Sequence, residues 1–144
     1  MRLPDPDDHP ELYEHLIAKR LLAWVIDVAV TALLVIVALI LTGGLALLIL
    51  PLLWGAISIA YRTTLLNRYS ATLGMLVAST RLCRLDGQAL SPQTTLLHSI
   101  TYSATMAFVL PQIGSIFLML NSPYKQGLND WLLGTTIVNK YIVS

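Results

Sequence analysis

Between Asp27 and Arg62 the chain carries no charged side chain. About 20 apolar residues are enough for an α-helix to cross the hydrocarbon core of a bilayer. Residues 21–42 and 45–61 are two apolar runs close to that length, and a pair of glycines separates them. This charge-free stretch therefore predicts a transmembrane helical hairpin, in which each run forms one span.

The composition agrees with insertion into a membrane. Of the 144 residues, 56% are hydrophobic and only 12% are charged, whereas a soluble domain has about 25% charged residues. The net charge of +1 gives no information about nucleic acid, but the sequence has no basic patch with interleaved aromatics, so no nucleic-acid partner is expected. The single cysteine excludes an intramolecular disulfide. We predict an all-α polytopic membrane protein that forms a single domain overall, with a small cytoplasmic β element.

Five segments make up the predicted organisation. They are an acidic N-terminal head with an interfacial helix (1–18), the transmembrane helical hairpin (19–61), a cytoplasmic basic loop with a short helix and a β-hairpin (62–93), a third, broken transmembrane region (94–120), and a C-terminal helix and strand (121–144). The break in the third region is expected at Pro111, which allows either one bent span or a pair of short helices that enters and returns. Three and four membrane passages therefore both remain open.

The distribution of cations predicts which side each end occupies. The loop 62–93 contains a single acid, Asp86, against four arginines, Arg62, Arg68, Arg81 and Arg84. Cytoplasmic loops of membrane proteins are enriched in Lys and Arg. The loop is therefore expected in the cytoplasm, and so is the N-terminus, because Lys19 and Arg20 precede the first span.

Two stretches outside the spans have the pattern of β structure. Residues 81–90 alternate and contain Asp86-Gly87, a favoured hairpin dipeptide, which predicts a β-hairpin. Residues 134–139 are β-branched and predict a strand. That strand would pair with the hairpin only if both lay on one side of the membrane, so we expect the C-terminal tail in the cytoplasm.

Asp27 is the leading functional candidate, because a carboxylate at the centre of a membrane costs about 2.5–3.5 kcal/mol on insertion scales. Arg20 lies seven residues earlier on the same helix face, roughly 10 Å away along the axis. One interpretation is a group that exchanges a proton with a cation such as Na⁺. The other, which the residues favour, is a structural ion pair with Arg20 or Arg81.

Two further candidates lie in the second half of the chain. Asp130 is expected to pair with Arg81 or Arg84, or else to supply a second carboxylate to a cation site. His98 shares a helix face with polar residues, which fits a proton relay but fits helix packing better. Those polar residues are Thr94, Thr101, Thr105 and Gln112.

These residues resemble the RDD family of small bacterial membrane proteins. The family's first-span pattern Arg-Leu-x-Ala-x-x-Ile-Asp is matched by Arg20, Leu21, Ala23, Ile26 and Asp27. Its middle motif is matched in part by Thr72, Gly74, Arg81, Asp86 and Gly87. Its closing motif is matched by Gly127, Leu128, Asp130, Gly134, Thr135 and Val138. Three departures are Met75 for the usual lysine, His98 for a common arginine and Trp131 for another frequent arginine.

The resemblance implies a multi-pass protein of the bacterial inner membrane, and sodium/proton antiport has been ascribed to some members. We predict cation/proton exchange by an oligomer, with a non-transporting accessory or adaptor subunit as the alternative. No enzymatic activity, cofactor or metal is expected. The expected partners are the bilayer, further copies of the chain or another membrane protein, and Na⁺ and H⁺ as substrates. The predicted site residues are Arg20, Asp27, Arg81, His98 and Asp130.

Overall fold

A computed structural model describes residues 4–139 of the chain, and its first span is helix α1, Leu16–Leu41. The N-terminal head contains less helix than expected, since within the described residues 4–15 a 3₁₀ turn at Pro10–Leu12 is the only helical element. His15 follows with a left-handed backbone (φ 53°), which separates this turn from α1. The head folds back on the protein, where Leu12 is buried.

Helix α2, Leu50–Tyr69, forms the second span after a 3₁₀ turn at Leu45–Ile49. Pro51 lies in its first turn, where a missing N–H breaks no helical hydrogen bond. The helical stretches Pro10–Leu41 and Leu45–Tyr69 each contain an apolar window that is long enough to cross a membrane. The predicted hairpin is therefore confirmed. However, α2 continues for two turns past residue 61, so its last turns occupy part of the segment expected to be a loop.

The third apolar region is broken, as predicted, but at a different residue. Helices α4 (Pro92–Ala107) and α5 (Val109–Asn121) meet at Phe108, whose backbone is extended. The axes of the pair are bent by 115°. Pro111 instead lies within the first turn of α5, a position that tolerates proline. Taken as one bent span, the pair brings the number of candidate spans to three.

A two-stranded antiparallel sheet joins the middle of the chain to its end. Strand β1, Thr80–Arg84, pairs with β2, Thr135–Asn139, in a register that places Leu82 opposite Ile137. The predicted hairpin over residues 81–90 is wrong, because the partner of β1 is the distant tail strand. Asp86-Gly87 forms only a turn after β1. The pairing does place residues 80–84 and 135–139 together, as the tail prediction required.

Two short helices flank the sheet, α3 (Leu73–Val77) and α6 (Leu128–Leu133), both near their predicted positions. The apolar core lies here, where the head, the end of α2, α3 and the sheet meet. Its most buried members are Leu12, Leu16, Leu66, Leu82 and Val138. Most large side chains of α1 and α5 point outwards instead, including Leu33, Ile40 and Phe117. This exposure fits helices that are solvated by lipid.

Candidate functional site: two buried carboxylates and the cavities beside them

The carboxylate of Asp27 is held by three neutral donors. Its Oδ1 accepts hydrogen bonds from the Tyr61 hydroxyl (2.8 Å) and the Gly74 N–H (3.0 Å). Its Oδ2 accepts one from the Thr72 hydroxyl (2.7 Å). The Asp27 side chain is 6% exposed. The desolvation of the charge is therefore offset by bonds to both oxygens.

Arg62 supplies the nearest positive charge but makes a loose contact. Its Nη1 lies 3.5 Å from Oδ2 of Asp27, which is longer than a strong N–H···O hydrogen bond. Its Cζ lies 3.7 Å from the centroid of the Tyr102 ring, a cation–π geometry. The guanidinium is thus stabilised by an aromatic face as well as by the carboxylate, although its side chain is only 5% exposed.

Gly74 brings its N–H to Asp27 because α3 approaches α1 very closely. A Cβ atom at this position would lie 2.1 Å from the carbonyl oxygen of Ala23. Only glycine is compatible with that distance. Thr72 is the N-cap of α3, and its hydroxyl also accepts from the Met75 N–H (3.3 Å). The motif Thr72-x-Gly74 therefore builds half of the Asp27 site.

Asp130 has a different set of partners, two of which are basic. Its Oδ2 lies 2.6 Å from Nη2 of Arg20 and accepts the Gly127 N–H (3.3 Å). Its Oδ1 lies 2.8 Å from Nε2 of His98 and accepts the Thr135 hydroxyl (3.1 Å). These contacts tie α6 to the start of α1, to α4 and to β2.

The charges around Asp130 change its ionisation. Complete burial by itself would raise the pKa of the carboxyl, but Arg20 and His98 together hold that pKa below its usual range. Asp130 therefore stays ionised at neutral pH. His98, where the resemblance to the family led us to expect an arginine, makes a direct contact with this carboxylate.

The structure pairs the predicted residues differently from the sequence expectation. Arg20 contacts Asp130 and not Asp27, which contacts Arg62. Residues seven apart on a helix share a face but lie two turns apart, so each finds a closer partner on another element. Neither expected arginine pairs with Asp130. Arg84 contacts Asp86 instead, and Arg81 lies in β1, where its Nε is buried without a hydrogen-bond partner among residues 4–139.

The polar side chains of α4 mostly bond to their own helix. The hydroxyls of Ser99, Thr101 and Thr105 donate to backbone carbonyls of the preceding turn. Such bonds accompany helix packing, which is the interpretation that the sequence favoured. His98 is the member of this face that contacts a carboxylate.

Sequence reasoning missed Tyr61, Arg62, Thr72 and Gly74 as site residues. A signal for Arg62 existed in the sequence. Arg62 and Asp27 are the charged residues at the two ends of the charge-free stretch, so the hairpin brings them to the same depth in the membrane. Thr72 and Gly74 were noticed as parts of a family motif, without a partner. Nothing local in the sequence marks Tyr61.

Two cavities adjoin the Asp27–Arg62 pair. The first, here called the lateral cavity, has a volume of about 420 Å³, lies between α1, α4 and α5, and reaches Arg20 and His98. The second, called the hairpin cavity, has a volume of about 540 Å³ and lies between α1, α2 and α4. Both are lined by a shared set, Trp24, Asp27, Arg62, Tyr102 and Met106.

The family model described as RDD family matches residues 16–134. The matched range includes both carboxylates and the basic residues that contact them. The chain has no match among curated proteins or among solved structures.

Proposed function

Because the chain belongs to the RDD family, we propose that this membrane protein exchanges a monovalent cation for a proton, with Asp27 binding each ion in turn. Sodium/proton antiport, ascribed to some members of the family, guides the choice of ions. The observation that carries the proposal is the position of Asp27, which lines two cavities at once. One carboxylate can then meet an ion from either cavity.

The order of lining residues along α1 supports two separate approaches to Asp27. The lateral cavity follows α1 from Ile17 to Asp27, and the hairpin cavity follows it from Trp24 to Thr31. At 1.5 Å per residue, these stretches together cover roughly 20 Å of the helix axis. The Asp27–Arg62 pair lines both cavities, so an ion that moved from one to the other would pass close to it.

The ligands around Asp27 suit either ion. Hydroxyl groups both donate and accept, so Tyr61 and Thr72 could turn their lone pairs towards a cation that Asp27 binds. Hard cations prefer such oxygen ligands. Arg62 opposes a bound cation by repulsion, and its long contact with Asp27 lets it remain over the Tyr102 ring. A single carboxylate that binds one ion at a time gives electroneutral exchange.

We also propose the membrane, the orientation and the assembly in which this activity takes place. The protein acts without enzymatic chemistry or a cofactor in the bacterial inner membrane, with its N-terminus in the cytoplasm as the arginine distribution indicates. Several copies assemble, because so few spans enclose a pathway poorly on their own. The exposed apolar side chains of α5, such as Leu110 and Phe117, provide a surface for contact with another copy.

Proton flux in liposomes tests the proposal. Wild-type protein and the Asp27→Asn variant would be reconstituted, and internal pH followed after Na⁺ or K⁺ is added outside. We expect cation-driven proton movement in the wild type and none in a variant whose circular dichroism matches it. Asp86→Asn, at a half-exposed pair, is the matched control and should retain flux. Absence of flux from well-folded wild type would contradict the proposal.

A specific observation favours the second candidate, an accessory or adaptor subunit. The short helices α3 and α6 lie outside the candidate spans, yet both carry exposed apolar side chains. These are Leu73, Val77, Trp131 and Leu132. Such residues suit contact with a partner membrane protein. Photo-crosslinkers at Val77 and Trp131 should capture one defined partner in membranes, and recovery of this chain alone would count against the role.

A further inference from the structure

We propose that the lateral cavity binds an anionic lipid, with its charged head group at Arg62 and an acyl chain along the apolar walls. A bound lipid would occupy the lateral approach to Asp27, so it would compete with an ion for this space, but its binding does not require ion exchange and would hold in a protein without flux. Three features of the cavity favour this ligand: its unpaired donors, the hydrogen bonds that its carboxylates already accept, and its opening towards the lipid.

Residues of the lateral cavity carry hydrogen-bond donors that have no acceptor. The Nε–H groups of Arg20 and Arg62 are buried and have no hydrogen-bond acceptor within residues 4–139. Both residues line the cavity. Arg62 is the less satisfied, because its nearest carboxylate oxygen is 3.5 Å away. A guanidinium carries five donors in a planar fork, and a buried charge of this kind is costly when its donors lack acceptors.

The carboxylates near the cavity supply few of those acceptors. Asp27 accepts three hydrogen bonds from neutral donors, and the lone pair left on its Oδ2 lies 3.5 Å from Arg62. Both oxygens of Asp130 are occupied by Arg20, His98, Thr135 and Gly127. A ligand with its own acceptor oxygens would satisfy Arg62 better than Asp27 does. Phosphate and carboxylate groups match the guanidinium fork.

The remaining walls suit a hydrocarbon chain. Ligand cavities of about 300–1,000 Å³ are mostly apolar with a few convergent polar groups, and the lateral cavity, at about 420 Å³, has Ile17, Met106 and Met119 on its walls. Its outer edge is formed by lipid-facing residues of α1 and α5, among them Leu21 (61% exposed) and Leu120 (56% exposed). A lipid could therefore enter sideways from the bilayer. Basic pockets between membrane helices are known to take anionic head groups.

Trp24 lines the cavity and can report occupancy. The variant Trp54→Phe/Trp131→Phe leaves it as the single tryptophan. This protein would be placed in phosphatidylcholine vesicles that contain increasing fractions of phosphatidylglycerol with brominated acyl chains, which quench nearby tryptophans. We expect a quenching component that saturates at a low fraction of the anionic lipid. Brominated phosphatidylcholine should give only the gradual quenching of bulk lipid.

Arg62→Gln in the same background tests the head-group contact. It should weaken the saturable component about tenfold, as expected for the loss of a charge-assisted hydrogen bond. Arg68→Gln is the matched control, since Arg68 is exposed near the end of the same helix, and it should leave the component unchanged. If Arg62→Gln does not fold, Ile116→Phe narrows the cavity mouth without touching a charged residue and should reduce the component.

Three outcomes would overturn the inference. They are equal quenching by the two head groups, a saturable component that Arg68→Gln removes while Arg62→Gln does not, and displacement of the lipid by inorganic phosphate alone. A brominated fatty acid that competes with the phospholipid would support the site and identify a single-chain anionic amphiphile as its ligand. Since quenching does not depend on transport, absence of ion flux would leave the result valid.

Discussion

The two buried carboxylates of this protein are stabilised in different ways. Asp130 contacts a guanidinium at 2.6 Å and an imidazole at 2.8 Å, and lies outside the candidate spans. Asp27 lies inside a span and is held by three neutral donors, with its arginine at 3.5 Å. The Asp130 site therefore joins the tail to the first helix through tight ionic contacts, whereas the Asp27 site relies on neutral donors and has a looser contact with its countercharge.

Removing the arginine from each site should distinguish them most clearly. Arg20→Gln leaves a fully buried carboxylate without its ion-pair partner and should lower the free energy of unfolding by about 3–5 kcal/mol. Arg62→Gln leaves the three neutral donors of Asp27 intact and should cost about 2 kcal/mol, mainly the cation–π contact. Denaturant titration in mixed micelles measures both. Equal losses would contradict the distinction, and Arg84→Gln, at a half-exposed pair, is the control.

Gly74→Ala should test the close approach on which the Asp27 site depends. The new Cβ would meet the carbonyl oxygen of Ala23, so α3 must move away and Asp27 loses a donor. We expect a loss of about 3 kcal/mol, at the upper end of overpacking effects. Gly114→Ala in α5 meets open space and should be neutral or slightly stabilising. If both alanine variants have the same midpoint of denaturant unfolding as the wild type, the close approach of α3 to α1 at Gly74 is wrong.

Tyr61→Phe removes one neutral donor from Asp27 with little change of shape. The free energy of unfolding should fall by about 1.5 kcal/mol, as for a hydrogen bond to a charged group. Tyr69→Phe, at an exposed ring of the same helix, should change it by less than about 0.5 kcal/mol. A double-mutant cycle with Asp27→Ala, which removes the acceptor, should recover most of the loss as coupling, because the hydroxyl acts through that carboxylate. Simple additivity would contradict the contact.

The pH dependence of the free energy of unfolding should reveal the lowered pKa of the Asp130 carboxyl. Its pKa is lowered in the folded protein, so the unfolded state binds more protons as the pH falls and the stabilisation is lost. The contribution is fully present above the unfolded value of about 4 and declines below it by at most about 1.4 kcal/mol per pH unit. The wild type and Asp130→Asn should therefore converge in stability only under acidic conditions. A gap that stays constant down to about pH 2 would contradict the lowered pKa.

Part of the site was predictable because a charged side chain within a membrane span is costly and therefore rare. Asp27 stands alone in an apolar run, and Asp130 lies in a recognisable closing motif. Their partners were less accessible to sequence reasoning. Arg20 and Asp27 share a helix face, yet each contacts a residue on another element, because the seven-residue spacing keeps them roughly 10 Å apart.

The same limit applies to the β structure. Asp86-Gly87 is a strong local signal for a hairpin, but β1 pairs with β2, which lies beyond α4, α5 and α6 in the sequence. A turn dipeptide such as Asp-Gly indicates only that a strand can pair with the segment next to it. It carries no information about pairing with a strand that lies much later in the sequence. The tail strand itself was predicted from its β-branched residues.

The sequence alone determined the two long spans, the broken third region and the unusual position of Asp27, because solvation by lipid depends on the local run of apolar residues. Only the tertiary structure decided which cation meets which carboxylate, how Gly74 reaches Asp27, and that two cavities meet at one ion pair. Those features depend on how distant elements pack, and packing distances of a few ångströms are set by the whole fold.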